Sequence, residues 1–339
     1  MNRSENINLK FCLFNVENLF LLFDEPPSDS VLKLDEIQWQ KLSTALSDNK
    51  PLKKLHALAK VILDIHADIY MFCEVGGAES LNHFNRLFLN SEFSTCLIEG
   101  NSDRNIDVGF LIRKGLPFYF DLQTNKNHRL EVPEKLARNN AVTQLFSRDV
   151  TELRLFEKCT ENPFLLCLLT HLKSTRDPHN IDPNGSLKRT AEVKGLVEIY
   201  QDLKLKNPKT PILVCGDFNG NASLQKTDPE FKIIYEVLDL KDILELAQVE
   251  KEARSTFYQV SNISLTRTEG KQIDFCFLNT EAQKHLQIPS VQVYRYKDEF
   301  GSPLPPPKTL AEKQGHPSDH YPVIFKLENL SLTKEEQKI

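Results

Sequence analysis

PILVCGDFNG, residues 211–220, decides how this chain is read. A proline opens the stretch, a short apolar run follows, and Gly216-Asp217-Phe218-Asn219 closes it. A run this short, rich in Ile, Leu and Val and bounded by turn formers, fits a buried strand better than a helix. Six more runs of the same kind surround it: LKFCLF at 9–14, DIYMFC at 68–73, DVGFLI at 107–112, FLLCLL at 164–169, QIDFCFL at 272–278 and YPVIFKL at 321–327. Helical periodicity appears between some of them. Over 52–65 it puts Leu55, Leu58, Ala59, Ile62 and Leu63 on one face. Over 186–205 it groups Leu187, Ala191, Leu196, Ile199 and Leu203, with Ser186 as the expected cap. A further helix is expected over 231–240, after Asp228.

Residues 24–51, 123–140 and 298–318 read as loops, the first with a short helix around Trp39 and the last a stiff proline-rich turn. Many strands and few helices, without strict alternation, predict an α+β fold or a β-sandwich flanked by helices. A TIM barrel is the rival at this length. The segment 100–170 offers it strands with no helix between them. No internal repeat or composition break divides the 339 residues, so one catalytic domain over 1–339 is expected, with its core at about 9–327 and a charged tail after Leu330.

Composition excludes several classes. With 40% hydrophobic residues the chain can bury a core, and no apolar stretch approaches the ~20 residues of a membrane span. The balance of 42 Lys+Arg against 47 Asp+Glu gives −5, which is not the charge of a nucleic-acid coat protein. An enzyme with a small basic footprint remains compatible. The seven cysteines form no CxxC pair, and Cys12, Cys73, Cys167, Cys215 and Cys276 lie in or beside apolar runs. That pattern predicts reduced, buried thiols. No signal peptide is evident, so a cytoplasmic location is expected, with signal-independent secretion as the alternative.

The polar residues gather where the apolar runs end. The clusters are Asn15, Glu17 and Asn18; Glu74; His171 to Ser174; Asp217 and Asn219; Asp274; and Asp319-His320. Any one of these is an ordinary turn. Together they hold what Mg²⁺ chemistry on a phosphate ester needs. Glu74, Glu17, Asn15 and Asp319 are the oxygen donors that a hard cation takes. Asp217 and Asn219 on a glycine-started turn suit the placing of an attacking water, and a carboxylate-paired histidine suits phosphoryl charge.

Six short motifs in one order are similar to those of the endonuclease/exonuclease/phosphatase (DNase I-like) superfamily: FNVENLF at 14–20, CEV at 73–75, HLKS at 171–174, CGDFNG at 215–220, QIDFCFL at 272–278 and PSDHYPV at 317–323. The resemblance spans roughly residues 9–327. It implies a four-layer α/β sandwich, with two mainly antiparallel sheets packed face to face and flanked by helices. It implies Mg²⁺-dependent phosphodiester cleavage, with Mn²⁺ as an alternative ion. Glu74 resembles the principal metal ligand, supported by Asn15 and Glu17, and Asp319 the second acid at the metal side. Asp217 resembles the residue that activates water, and Asn219 the one that holds water or phosphate. His320 resembles the phosphate-contacting histidine, with Asp274 fixing its tautomer. His171 resembles a second histidine that binds a phosphate oxygen or protonates the leaving oxygen. One metal or two is left open.

Other polar residues carry two readings. Asn18 caps a turn or meets substrate. Lys173 is a solvated charge or a phosphate contact, and Arg189 pairs with an acid or reaches phosphate. Asp107 reads as structural, His56 and His66 as ordinary helix positions, and His316 as a loop residue. Among phosphate esters, the Lys271-Gln272-Ile273-Asp274 segment lacks the Trp-Cys-Asp-Arg element of inositol phosphatases, and no apolar lipid-access segment is evident. A nuclease acting on DNA or RNA is therefore the first expectation, with 126–140 as its basic footprint and no protein partner implied. The alternatives are a phosphatase or phosphodiesterase on a small-molecule or lipid phosphate, a catalytically inactive binding module, and a barrel glycosidase.

Overall fold

The structure is a computed structural model in which residues 6–138, 143–157, 162–177, 180–261 and 267–331 are described. Cys159, residues 139–140 of the basic segment and the charged tail beyond 331 lie outside the described residues.

All seven apolar runs are in strands. One six-stranded sheet has the spatial order Gln292–Val293, Val323–Ser331, Asn6–Leu19, Ile69–Val75, Asp107–Arg113 and Phe93–Cys96. A second has the order Tyr119–Thr124, Val150–Phe156, Leu165–His171, Ile212–Asp217, Asp274–Leu278 and Lys241–Asp242. Phe257–Ser261 and Arg267–Lys271 pair as a separate ribbon. Each six-stranded sheet is antiparallel except for its central pair, Asn6–Leu19 with Ile69–Val75 and Leu165–His171 with Ile212–Asp217. A parallel pair needs a crossover connection, and the helices Leu52–Ile65 and Ser186–Lys206 supply the two.

Strand periodicity then builds four layers. Along Leu165–His171, Leu165, Cys167 and Leu169 join the core shared by both sheets, while Leu166 and Leu168 join the one beneath Ser186–Lys206. Cys215, Cys276 and Leu213 point inward in the same way, and Val214, Phe275 and Phe277 outward. Across the interface the Cys167 thiol lies 3.5 Å from the Met71 sulfur, and the Cys73 thiol 3.6 Å from the Thr170 carbonyl oxygen. The six described cysteines are buried and unbridged, as their setting predicts.

Several local expectations are corrected. Leu63 is 50% exposed, and Val61 and Ile65 complete the buried face of Leu52–Ile65 instead. Ser186 does not cap its helix. Gly185 stands at the N-cap with φ 64°, and the Asp182 carboxylate accepts from the Leu187 and Lys188 amides at 3.0 and 2.9 Å. The helix expected over 231–240 runs only Lys232–Val237, and the segment 298–318 contains the helix Leu310–Gly315. Residues 119–124 and 150–156 form strands whose mixed polarity hid them. His316 lies in a loop, just past Leu310–Gly315, as expected, and is buried there with its ring 5.1 Å from Tyr296. Among the described residues no helix is long and apolar enough to cross a membrane.

Candidate active site

Strand register assembles the site. His171 is the cross-strand partner of Asp217, and Asp217 is the partner of Asp274. Residues in register on adjacent strands project on the same face, so three titratable groups stand abreast at one sheet edge. The close approach requires Gly216. A Cβ there would lie 1.9 Å from the Thr170 carbonyl oxygen.

Turns held in unusual backbone frame the site, at Glu17, Asn18 and Glu74 on the first sheet and at Asn219 after Asp217 on the second. Glu17, Asn18, Glu74 and Asn219 have φ of 51°, 50°, 64° and 51°. Left-handed backbone at non-glycine residues costs of order 1 kcal/mol or more each and persists where neighbours over-determine it. Here side chains of the same cluster do so. Asn15 Oδ1 accepts from the Glu17 amide at 3.0 Å, Glu74 Oε2 from the Asn18 amide at 3.0 Å, and Asp217 Oδ1 from the Asn219 amide at 2.8 Å. Asn15 Nδ2 donates to Asp217 Oδ2 at 3.0 Å, which joins the two sheets.

His320 arrives on the turn before Val323–Ser331. Ser318 Oγ donates to the Asn15 carbonyl at 2.7 Å and accepts from the His320 amide at 3.1 Å. The imidazole Nδ1 pairs with Asp274 Oδ2 at 2.8 Å, and Nε2 lies 3.9 Å from both Asp217 Oδ2 and Asp319 Oδ1. His171 Nε2 lies 3.6 Å from Asp217 Oδ2. The sequence-derived set Asn15, Glu74, His171, Asp217, Asn219, Asp274, Asp319 and His320 is thus brought together.

Burial and charge separate the two histidines. Burial, with Arg148, His320 and Arg104 nearby, holds His171 well below the usual range, so it stays neutral. Burial works against a charged His320 too, but Asp274, Asp319 and Asp217 outweigh it and hold it well above. Burial first, and then Asp274, push Asp217 up to about 7, against the opposing pull of His320 and the hydrogen bonds from Asn219 and Asn15. Burial would also raise Asp319, yet His320 and Lys313 keep it below the ordinary carboxylate range.

Other assigned residues lie apart from this centre. The Glu17 carboxylate is engaged by Lys54 Nζ at 2.7 Å and Lys50 Nζ at 3.5 Å. Asn18 Oδ1 accepts from Arg104 at 2.9 Å. Lys173 turns back onto its own loop, with Nζ donating to the Ser174 carbonyl at 3.1 Å. Arg189 borders the cleft but is taken up by Glu230, at 2.9 and 2.6 Å. Asp107 is structural and accepts from the Gly100 amide at 2.8 Å.

The centre opens into a cleft of about 1150 Å³. None of the described cations of 126–138 lines it. Arg104, Arg148, Lys226, Arg254 and Lys271 do, together with Phe257, whose ring centroid is 5.1 Å from that of His320. Sequence reasoning missed these residues because they come from loops and from the ribbon without a motif. Arg148 is 5% exposed and donates to the Leu172 carbonyl at 3.4 Å, with no carboxylate within ion-pair distance among the described residues.

The donor set fits a divalent cation. Asp217, Asp274 and His320 lie within 4.8 Å of one another, but His320, held protonated, offers no lone pair to an ion, which leaves the carboxylate and amide oxygens of the cluster as the donors. Beside them, Glu74 borders the cleft with one oxygen held by a backbone amide and no ion pair to any described cation.

No protein-family model and no curated protein matches the chain in sequence. Solved structures do match. The human Nocturnin catalytic domain with bound sulfate is 16% identical with a TM-score of 0.55, covering 96% of this chain and 95% of that one. D. rerio TDP2 complexed with single strand DNA product is 14% identical with a TM-score of 0.54, over 94% and 98%. An endonuclease/exonuclease/phosphatase from Bacteroides vulgatus is 18% identical with a TM-score of 0.52, over 95% and 99%. Motif order, layer architecture and these likenesses agree: the chain is built on the four-layer fold of the endonuclease/exonuclease/phosphatase (DNase I-like) superfamily.

Proposed function

We propose that the protein is a divalent-metal-dependent phosphodiesterase, and that its substrate is nucleic acid. The observation that carries the reading is the buried row His171, Asp217, Asp274 and His320 at the head of a cation-lined cleft. Because both sheets build this one site, the chain is read as one catalytic domain.

In this reading Asp217 takes the proton of the attacking water. A pKa near 7 is that of a base matched to neutral pH, and hydrogen bonds from Asn15 and Asn219 fix the carboxylate's orientation. Asn219 also positions the water or the scissile phosphate. His320, kept cationic by Asp274, faces the non-bridging oxygens and stabilises charge that grows on them. His171 stays neutral, so it serves as a hydrogen-bonding partner rather than as a proton source. Glu74 would hold the ion, with Asn15 and Asp319 beside it, and Mg²⁺ or Mn²⁺ would supply Lewis-acid stabilisation of the phosphoryl oxygens. Arg104 and Arg148 add fixed positive charge on the His171 side.

Nucleic acid is favoured over a small phosphate ester by the size of the cleft, about 1150 Å³, and by the several cations that line it, where one phosphomonoester would need only a compact pocket. The D. rerio TDP2 structure with a single-stranded DNA product supports that choice by likeness. The test is cleavage of double-stranded DNA, single-stranded DNA, RNA and simple phosphoesters with and without Mg²⁺ or Mn²⁺, in wild type and Asp217→Ala. The expected result is metal-dependent cleavage of a polynucleotide that Asp217→Ala abolishes while the fold survives. Turnover of small phosphoesters alone would transfer the assignment to the small-molecule class.

A further inference from the structure

Three carboxylates are candidates for holding an ion, Glu74 and Asp319 on the main cleft and Glu17 in a small pocket of its own, and the protein treats them differently. Glu74 has one oxygen on the Asn18 amide and no ion pair to any described cation. Asp319 faces Lys313 Nζ at 3.4 Å on one oxygen and His320 Nε2 at 3.9 Å on the other. Glu17 is the most fully engaged. Lys54 Nζ lies 2.7 Å from its Oε2, and Lys50 Nζ lies 3.5 Å from the same atom while donating to the Glu17 carbonyl oxygen at 2.8 Å. The Lys50 side chain is only 2% exposed. Its backbone is fixed as well, because the Lys50 amide donates to the Phe20 carbonyl at 2.9 Å and the Lys50 carbonyl accepts from Trp39 Nε1 at 3.0 Å.

A buried ammonium anchored in this way is not a passing surface contact. Removing one member of a buried ion pair leaves the other charge uncompensated, so the pair holds together. Glu17 lines a small pocket with Lys50 and Lys54 and does not line the main cleft, which Glu74 and Asp319 do. A divalent ion bound by Glu17 would have to displace two lysines and would meet their charge at close range.

We infer that the site takes a single divalent ion, anchored at Glu74, and that Lys54 and Lys50 hold the place at Glu17 where a second ion would otherwise bind. This rests on the metal-dependent reading above. It also gives Glu17 a positioning role: its left-handed turn, pinned by Lys50 from one side and by Asn15 from the other, presents the Asn18 amide to Glu74.

The experiment is Mn²⁺ binding to the full chain, followed by calorimetry and by the electron paramagnetic resonance signal of free Mn²⁺, in the absence of substrate. Wild type should bind one ion per chain. Glu74→Gln should weaken binding by well over about 100-fold, whereas Glu17→Gln should weaken it by about 10- to 100-fold at most, the range of a change that only orients a ligand. The double variant Lys50→Met/Lys54→Met, which frees Glu17, should admit a second and weaker ion. Two ions of similar affinity in wild type, or Glu17→Gln matching Glu74→Gln, would overturn the inference and leave the metal-dependent reading intact. A stoichiometry still at one in a folded double variant would overturn the part given to lysine. No Mn²⁺ binding at all would overturn both. The wild-type stoichiometry decides the main point even where a variant does not fold.

Discussion

Replacing Asp274 by asparagine perturbs both ends of the proposed proton machinery and moves them the same way. Asp274 pairs with His320 at 2.8 Å, and its ligand oxygen lies within 4.8 Å of those of Asp217. Its negative charge therefore raises both neighbours: it favours protonated His320 and disfavours ionised Asp217. At an effective dielectric of about 20, unit charges at this separation interact by roughly 3.5 kcal/mol, about 2.5 pKa units. A bound divalent ion offsets part of this field, so a shift of about one to two units is the working expectation. Activity needs Asp217 ionised, which sets the acid limb, and His320 protonated, which sets the alkaline limb. Loss of the Asp274 charge lowers both, so the whole pH–rate profile of Asp274→Asn should move toward acid. At neutral pH cleavage should also fall by about 10²-fold or more, as when a proton-transfer partner is disabled. The assay is single-turnover cleavage across pH at saturating metal. A profile that keeps its position, or limbs that move apart, would refute the assignment of base and cation.

Asp242 gives a stability test away from the site. It is fully buried, and burial pushes it up to about 7 against the hydrogen bonds from Gln272, at 2.9 Å, and from the Leu244 amide. Between about pH 4 and 7 the native state keeps a proton that the unfolded chain has lost, so stability should fall as pH rises through that window, by up to roughly 1.4 kcal/mol per unit. Asp242→Asn should flatten that slope in chemical denaturation, and an unchanged slope would contradict the burial argument. Gly216→Ala puts a methyl group 1.9 Å from the Thr170 carbonyl oxygen and should destabilise the domain by about 3 kcal/mol or more, measured as a shift in urea midpoint. Six of the seven cysteines are buried and unbridged, so native protein should take at most one alkyl group by intact mass and unfolded protein seven.

How much of this is legible in the sequence depends on where the information lies. The seven strands announced themselves because each is buried on both faces and so reads as a continuous apolar run. Tyr119–Thr124 did not, because it is an edge strand whose residues are exposed or half-buried. The proposed catalytic row is legible because the same runs end in Asp217 and His171 or carry Asp274, and register alone then sets them side by side. Glu17 shows the limit. Its residue type suits a metal, but its partners Lys50 and Lys54 come from 33 and 37 residues away in the chain, and no local pattern links them. The described cations of the expected basic footprint do not line the cleft, for a related reason. A local cluster of charge at 126–138 says nothing of the direction it faces, whereas the cleft draws single cations such as Arg104, Arg148 and Arg254 from separate loops. Lys313 was hidden in a segment read as a stiff loop, where the helix Leu310–Gly315 brings it to Asp319 and to within 3.5 Å of the Phe257 ring centroid.

The central claim is that Asp217 activates water for phosphodiester cleavage in a metal-loaded cleft. Its most direct test is the single-turnover cleavage rate of a polynucleotide with Mn²⁺ by Asp217→Asn, which keeps the shape of the side chain, beside wild type. A loss of at least about 10²-fold with Mn²⁺ binding retained is expected. Cleavage by Asp217→Asn at the wild-type rate would contradict it.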